Sequence, residues 1–435
     1  MSKNNNIPKH WQTKKLGEVC KFVRGPFGGS LKKEIFKNDG FAVYEQQHAI
    51  YNQFSEIRYF IDENKFNEMK RFELNSGDLI MSCSGTMGKV SIVPKNIKKG
   101  IINQALLKLS PSDQVSNVFL KIWMDSMTFQ ESLKSFSKGA AIQNVASVSV
   151  LKNIEIPLPP LPEQQAILTK IEELFSNLEN GKQQLQTAQQ QLKVYRQSLL
   201  KWAFEGKLTE KWRNQSKETY SLAAEPRIKY SSKNELPEGW KIKELKEITS
   251  VLGDGLHGTP SYSETGEYYF INGNNLTDGK IEIKENTKRV SNDEFQKYKK
   301  PLNEKTIFVS INGTLGYTAF YNNEKVILGK SACYFNVLDT IDKNYIRYYL
   351  TSNSFINYAN KNATGSTIKN VGLKTMRELQ IPIPASLSEQ QLIVSELDSK
   401  LTICDKIEET ISQSLQQAEA LRQSILKRAF EGKLI

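Results

Sequence analysis

Gly329-Lys330-Ser331 ends as a phosphate-binding loop ends, with a lysine for phosphate charge and a hydroxyl for a metal. Such a loop also needs a leading glycine so that backbone amides can cradle phosphate, and that position holds Glu324. Gly253-Asp254-Gly255-Leu256-His257-Gly258 fits G-x-G-x-x-G, but it runs into Thr259-Pro260-Ser261 instead of opening a helix. Methyl transfer to an amine calls for Asn/Asp-Pro-Pro-Tyr/Phe, whereas Pro159-Pro160 is flanked by leucines. No Pro-Asp dipeptide starts a nuclease motif, and Glu63-Asn64-Lys65 alone carries none. His10, His48 and His257 are scattered, and Cys20, Cys83, Cys333 and Cys404 form no CxxC pair. Metal, catalytic-histidine and disulfide chemistry are therefore not expected, and the thiols fit a reduced cytoplasm.

The chain's 435 residues carry a net charge of +12, with 39% hydrophobic and 24% charged residues. That length and composition predict folded domains, and the basic balance favours an acidic partner, most often nucleic acid. No run of about 18 apolar residues is present, so no membrane span is expected. The opening MSKNNNIPKHW lacks the apolar stretch of a secretory signal.

The elements that must position any site are written twice. Ala203-Phe204-Glu205-Gly206-Lys207-Leu208 returns 226 residues later as Ala429-Phe430-Glu431-Gly432-Lys433-Leu434. Glu163-Gln164-Gln165 and Glu389-Gln390-Gln391 share that offset, and Ile156-Pro157-Leu158-Pro159 parallels Ile381-Pro382-Ile383-Pro384. Each half opens on Pro-x-x-Trp (Pro8 to Trp11, Pro237 to Trp240) and carries an aliphatic strand running into Gly85-Thr-Met-Gly88 or Gly313-Thr-Leu-Gly316. Phe119, Ile122, Trp123 and Met127 recur at helical spacing, as do Ile346, Leu350 and Phe355. Prolines then end each globular part. These signals predict mixed α/β modules over 1–160 and 215–386, with helical segments over 161–214 and 387–435.

Ile167, Ile171, Leu174, Leu178, Leu185, Ala188, Leu192, Tyr195 and Leu199 step by threes and fours. The second copy gives Ile393, Leu397, Cys404, Ile407, Ile411, Ala418, Leu421 and Ile425, a coiled-coil pattern in both. Each helix would span roughly 60 Å at 1.5 Å per residue, longer than a module is wide. Parallel pairing would need a long return linker, so the helices are expected to pair antiparallel, with a module at each end and a pseudo-two-fold duplicated architecture. The fold class is α+β.

With these motifs in place, the chain resembles the specificity subunit of Type I restriction-modification systems. The Pro-x-x-Trp entries, IPxP tracts, EQQ helix starts and AFEGKL endings carry the resemblance, which extends through Lys207 to Arg213. It implies two target-recognition domains, each reading one half of a bipartite, asymmetric site in double-stranded DNA. It also implies partners: two methyltransferase subunits and restriction motor-nuclease subunits, directed to adenine methylation and ATP-dependent cleavage. S-adenosylmethionine, ATP and Mg would belong to those partners, leaving this chain without catalysis or cofactor. The helices would dock the partners, with Glu163, Gln164, Gln165, Phe204, Glu205, Glu389, Gln390, Gln391, Phe430 and Glu431 as the expected docking residues.

In such a chain, lysine and arginine hold phosphates while amides and guanidinium groups read base edges. The candidates in the first module are Arg24, Lys32 and Lys33 around a glycine loop, the Gln46-Gln47-His48 cluster, and Gln143 with Asn144. The second module offers His257, Asn272, Asn274, Asn275, Lys369 and Asn370. The other class open to this sequence is a coiled-coil adaptor whose duplicated modules bind something other than DNA.

Overall fold

The computed structural model describes residues 7–135, 147–220, 236–277, 279–365 and 367–435. The chain divides into two compact units, Met1–Gln186 with Ser412–Ile435, and Thr187–Ile411. Each unit therefore holds one module, the leading part of the long helix that follows it, and the closing part of the other long helix.

In the first unit, strand β1 (Gln12–Lys15) pairs antiparallel with β9 (Glu155–Leu158), so the module's entry and exit are stitched together. Pro157 sits in this two-stranded ribbon, where a missing amide donor is tolerated. Between them lie β2 (Cys20–Arg24), β3 (Phe41–Tyr44), β4 (Phe60–Ile61), β5 (Leu79–Ser82), β6 (Val90–Ile92), β7 (Gly100–Ile102) and β8 (Leu106–Pro111). They form an antiparallel sheet ordered β2-β8-β5-β6 and a smaller one ordered β4-β3-β7, in which β3 and β7 run parallel. All four residues of β5 are buried, as a central strand covered on both faces requires.

The second unit repeats this plan. Strand β10 (Lys241–Glu244) pairs with β20 (Gln380–Ile383). The larger sheet is ordered β11 (Thr249–Asp254), β19 (Ala332–Val337), β16 (Thr306–Ser310), β17 (Thr318–Phe320). The smaller is ordered β15 (Arg289–Val290), β12 (Tyr268–Ile271), β18 (Val326–Leu328), and a ribbon of β13 (Leu276–Thr277) with β14 (Lys280–Ile281) is added. The parallel pair recurs between β12 and β18.

The expected amphipathic segment around Phe119 to Met127 is two helices, Asn117–Met124 and Met127–Ser135. Buried Ser126 separates them: its hydroxyl donates to the Trp123 carbonyl at 2.6 Å and accepts the Phe129 amide at 3.5 Å. Met127 is consequently exposed. Ser352 breaks the corresponding pair, Lys343–Thr351 and Asn353–Asn362, by the same two bonds at 2.6 and 3.4 Å.

The long helices run Leu161–Phe204 and Leu387–Phe430, each 44 residues and so about 66 Å long. Within the first unit, the Arg422 guanidinium lies 4.1 Å from the centroid of the Phe175 ring. Within the second, Arg196 pairs with Asp405 at 2.7 Å and Glu408 at 3.1 Å. In each unit the start of one helix lies beside the end of the other, and the pairing is antiparallel. The seam is narrower than the periodicity implied. Leu397, Cys404, Ile411, Ala418 and Ile425, seven residues apart, are buried, but Ile407, Leu421 and Tyr195 are exposed.

The helix ends join the cores of the modules. Ile425, Leu426, Ala429 and Phe430 pack into the core that contains Phe119 and Trp123, and the Phe430 ring meets Phe119 edge-on at 5.3 Å. In the second unit Leu199, Leu200, Ala203 and Phe204 enter the core with Tyr345 and Tyr349, whose rings lie 5.1 and 5.0 Å from Phe204. Each phenylalanine buried this way contributes about 2–3 kcal/mol.

Candidate nucleic-acid interface

The expected docking residues are mostly inside. Gln164 is fully buried: its amide oxygen accepts the Ser116 N–H at 2.9 Å, and its NH2 donates to the carbonyls of Gln114 (3.0 Å) and Pro159 (2.9 Å). Gln390 makes the equivalent bonds to the Asp342 N–H and the Thr340 carbonyl. Glu163 accepts the Trp11 indole N–H at 2.9 Å and touches His10 at 2.8 Å. Glu389 accepts from Trp240 (3.1 Å), Thr209 (2.8 Å) and Arg213 (2.6 Å). Phe204 and Phe430 are buried in the module cores. Glu205 and Glu431 are half-buried, each beside the lysine two residues on, Lys207 at 2.6 Å and Lys433 at 2.8 Å. Only Gln165 and Gln391 are exposed.

The buried members of these motifs therefore clasp helix to module. The glycines complete the clasp. Gly206 and Gly432 take φ of +72° and +67°, and a side chain at either would collide with Pro237 or Pro8 of the Pro-x-x-Trp entry in the same unit.

A second set of residues gathers at the strand ends. In the first module four loops meet in a rim. Gly25 lies so close to the Asn103 carbonyl that a Cβ would strike it, and its N–H donates to the Leu106 carbonyl at 2.9 Å. The Asn103 N–H donates to the Tyr44 carbonyl and the Cys83 N–H to the Ala105 carbonyl, both at 2.9 Å. Gln46 accepts the Ser84 N–H at 3.1 Å. Arg24 ends β2 half-buried, and its charge opposes the burial that pushes the Cys83 thiol up to about 12. Gln47, Gln104, Thr86, Lys32 and Lys33 are exposed around these loops.

The second module builds its rim from the same elements. Gly255 presses on the Leu328 carbonyl, and the Gly329 N–H donates to the Ile271 carbonyl at 2.8 Å. The Ser331 hydroxyl donates to Asn272 at 3.0 Å and accepts the Gly273 N–H at 2.8 Å. The Gly313 N–H donates to the Lys369 carbonyl at 2.9 Å, and Asn312 reaches Asn370 at 3.4 Å. Asn272, Asn274, Asn312, Thr314, Tyr317, Lys284 and their neighbours line a cleft of about 630 Å³. Gly85, Gly88, Gly313 and Gly316 all have positive φ, so these glycines shape both turns, while Thr86 and Thr314 stay exposed.

Two candidates are removed by their surroundings. His48 is fully buried: its Nδ1 accepts the Glu45 N–H at 2.8 Å and its Nε2 lies 3.1 Å from the Glu56 carbonyl. Asn275 is buried and accepts the Asn272 N–H at 3.0 Å, while its NH2 donates to the Glu282 carbonyl at 2.9 Å. Both occupy one structural position, a cap that closes the turn after β3 or β12, and neither is free to meet a base. That equivalence pairs Gln47 with Asn274, both exposed. His257 is exposed and held by Asp254 at 2.6 Å, and exposed Lys369 donates to Asn360 at 2.6 Å. Gln143 and Asn144 lie outside the described residues.

Sequence reasoning missed Gln104, Ser84, Lys284, Asn312, Tyr317 and Lys330. Lys330 was dismissed with the failed phosphate loop, yet Gly329-Lys330-Ser331 forms the second rim where Asn103-Gln104-Ala105 forms the first. The 226-residue offset already aligned these triplets. Among the described residues, no three His, Cys, Asp or Glu side chains are placed to hold a metal, and no helix is long and apolar enough to cross a membrane.

A family model for the Type I restriction modification DNA specificity domain matches residues 8–189 and again 237–417. The chain belongs to this specificity-domain family. Each match takes in one module with about the leading two thirds of its helix, so the family repeat contains the module whose rim is described above. The specificity subunit of the Type I restriction enzyme EcoKI from Escherichia coli (strain K12) is 24% identical over 450 residues, covering 98% of this chain and 90% of that one. The MjaVIII specificity subunit of Methanocaldococcus jannaschii is also 24% identical, covering 98% and 94%. The crystal structure of the HsdS subunit from Thermoanaerobacter tengcongensis covers 98% of both chains at a TM-score of 0.61 and 19% identity. A chain from a structure of the type I R-M system gives 0.69 at 20% identity, covering 98% of this chain and 99% of that one. These two likenesses carry the specificity-domain fold.

Proposed function

We propose that this chain is the sequence-reading subunit of a Type I restriction-modification complex, with each rim reading one half of a bipartite, asymmetric DNA site. The observation that carries the reading is a rim built twice from matching elements but furnished with different side chains. Gln47 stands where Asn274 stands, and Gln104 where Lys330 stands. Equal scaffolds with unequal polar faces suit two different base sequences, since amides and cations read the major-groove edges. The net charge of +12 supports phosphate contact.

In this reading the chain works in the cytoplasm and carries no catalysis. Two methyltransferase subunits and restriction motor-nuclease subunits dock on it and bring S-adenosylmethionine, ATP and Mg. The methyltransferase flips the target adenine out of the stack. Docking belongs to helix surface left exposed once the clasp residues are turned inward, including Val194, Trp202 and Ile403.

The test exchanges residues 1–160 for the corresponding module of a relative with a different target, then maps methylated adenines in cellular DNA. One half of the methylated sequence should change while the other stays. Change in both halves, or in neither, would overturn the reading.

A further inference from the structure

Phe27 is 92% exposed, although the loop that carries it is fastened on both sides. Pro26 and Leu31 are buried, and the Phe27 carbonyl accepts the Ser30 N–H at 2.9 Å, closing a short turn over Gly28–Ser30. The root of the loop is fixed by Gly25 against Asn103. A single exposed apolar residue needs no explanation on a surface that tolerates many. This one differs because the apolar residues that flank its turn, Pro26 and Leu31, are buried while its ring stands in water. Gly29 faces open space, so packing does not demand its missing side chain, and the tip beside Phe27 is left thin. Arg24 stands at the root, and Lys32 and Lys33 are exposed just beyond. An aromatic ring on a narrow, anchored tip among cations matches a polyanion with stacked flat faces.

We infer that Phe27 is a wedge that enters between adjacent base pairs of the half-site read by the first module. The inference rests on the proposed function, which makes this rim a DNA face. Apolar wedges partly unstack a step and bend the duplex, and the bend brings more protein surface to the backbone. Phe27 would thereby add selection for easily unstacked pyrimidine–purine steps, independently of hydrogen bonds to base edges. The corresponding loop of the second module ends in His257, an imidazole tied to Asp254 at 2.6 Å, so the wedge belongs to one half-site.

The experiment uses the chain assembled with its methyltransferase subunits on a duplex carrying its own site. 2-Aminopurine is placed in turn at each non-target position of the first half-site. One position should brighten several-fold on binding. Phe27→Ala should abolish that brightening and weaken binding on the order of ten-fold, with an unchanged melting temperature because the ring packs on nothing. Phe27→Trp should keep the affinity, with its emission quenched by stacking. A Phe27→Ala complex with full brightening and unaltered affinity would overturn the wedge while leaving the DNA reading intact. Loss of assembly with the methyltransferase, with DNA binding by the chain preserved, would make Phe27 a protein contact and overturn it equally. Failure of the unmodified chain to show salt-sensitive duplex binding would instead bring down the proposed function.

Discussion

Glu163 and Glu389 are the same residue in the repeat, yet their surroundings differ. Glu389 is 4% exposed and receives a guanidinium, a hydroxyl and an indole N–H. Glu163 keeps a side-chain exposure of 24%, with Trp11 and His10 as partners. Removing one member of a buried charge pair strands the other, whereas losing a half-exposed hydrogen bond lets water replace it. Glu389→Ala should therefore destabilise the protein by about 3 kcal/mol and Glu163→Ala by about 1 kcal/mol. Chemical denaturation of the two variants checks this, and equal losses would show that the Arg213 contact contributes little. The sequence marked these glutamates as constrained because they recur. Recurrence alone does not say whether a constraint faces inward or outward, which is why Gln164 and Gln390 read as docking residues. His48 and Asn275 lie in loops the duplication sets opposite one another, but that pairing did not show that both turn inward as caps. A cap needs only an acceptor at the right place, and an imidazole and a carboxamide both supply one.

Both long helices were legible from their spacing because a stretch of 44 residues imprints many periods. The width of the seam was not, since periodicity counts apolar residues without saying which meet a partner. Gly181 sits in the middle of the first helix, and a methyl group there would point into open space. Helix propensity favours alanine over glycine by about 1 kcal/mol. Gly181→Ala should accordingly raise stability by about that amount, read as a higher melting temperature with DNA affinity unchanged. A lower melting temperature would mean the helix needs give at that point. Short strands were harder to read. The parallel β3–β7 and β12–β18 pairs have three partnered residues each, too few for any pattern to declare itself.

At the scale of the whole molecule, buried protons set an alkaline limit. Burial pushes the Cys20 and Cys83 thiols from 9.0 up to about 12, and the Tyr44 and Tyr349 hydroxyls from 10.0 up to about 12. Cys333 and Tyr345 are raised as well, again by burial. The unfolded chain gives up these protons at their ordinary values and the folded chain holds them. Their contribution is complete below about pH 9 and drains away as pH climbs towards the folded values. Stability should fall by about 2 kcal/mol per thiol between pH 9 and roughly pH 10.5. Denaturant midpoints across that range test it, and a flat profile would mean water reaches the thiols. Iodoacetamide should label Cys20 and Cys83 slowly until the protein is unfolded.

Phe119 meets Phe430 within one core, and these partners are separated by 430 − 119 = 311 positions of chain. A ribosome adding about 5–20 residues per second needs roughly 15–60 seconds to travel from one to the other. During that interval the N-terminal module waits with a gap where Ile425, Leu426, Ala429 and Phe430 will sit. The module translated earlier is thus finished later, and its greasy notch is on offer to chaperones, or to a neighbouring nascent chain, until that helical turn emerges.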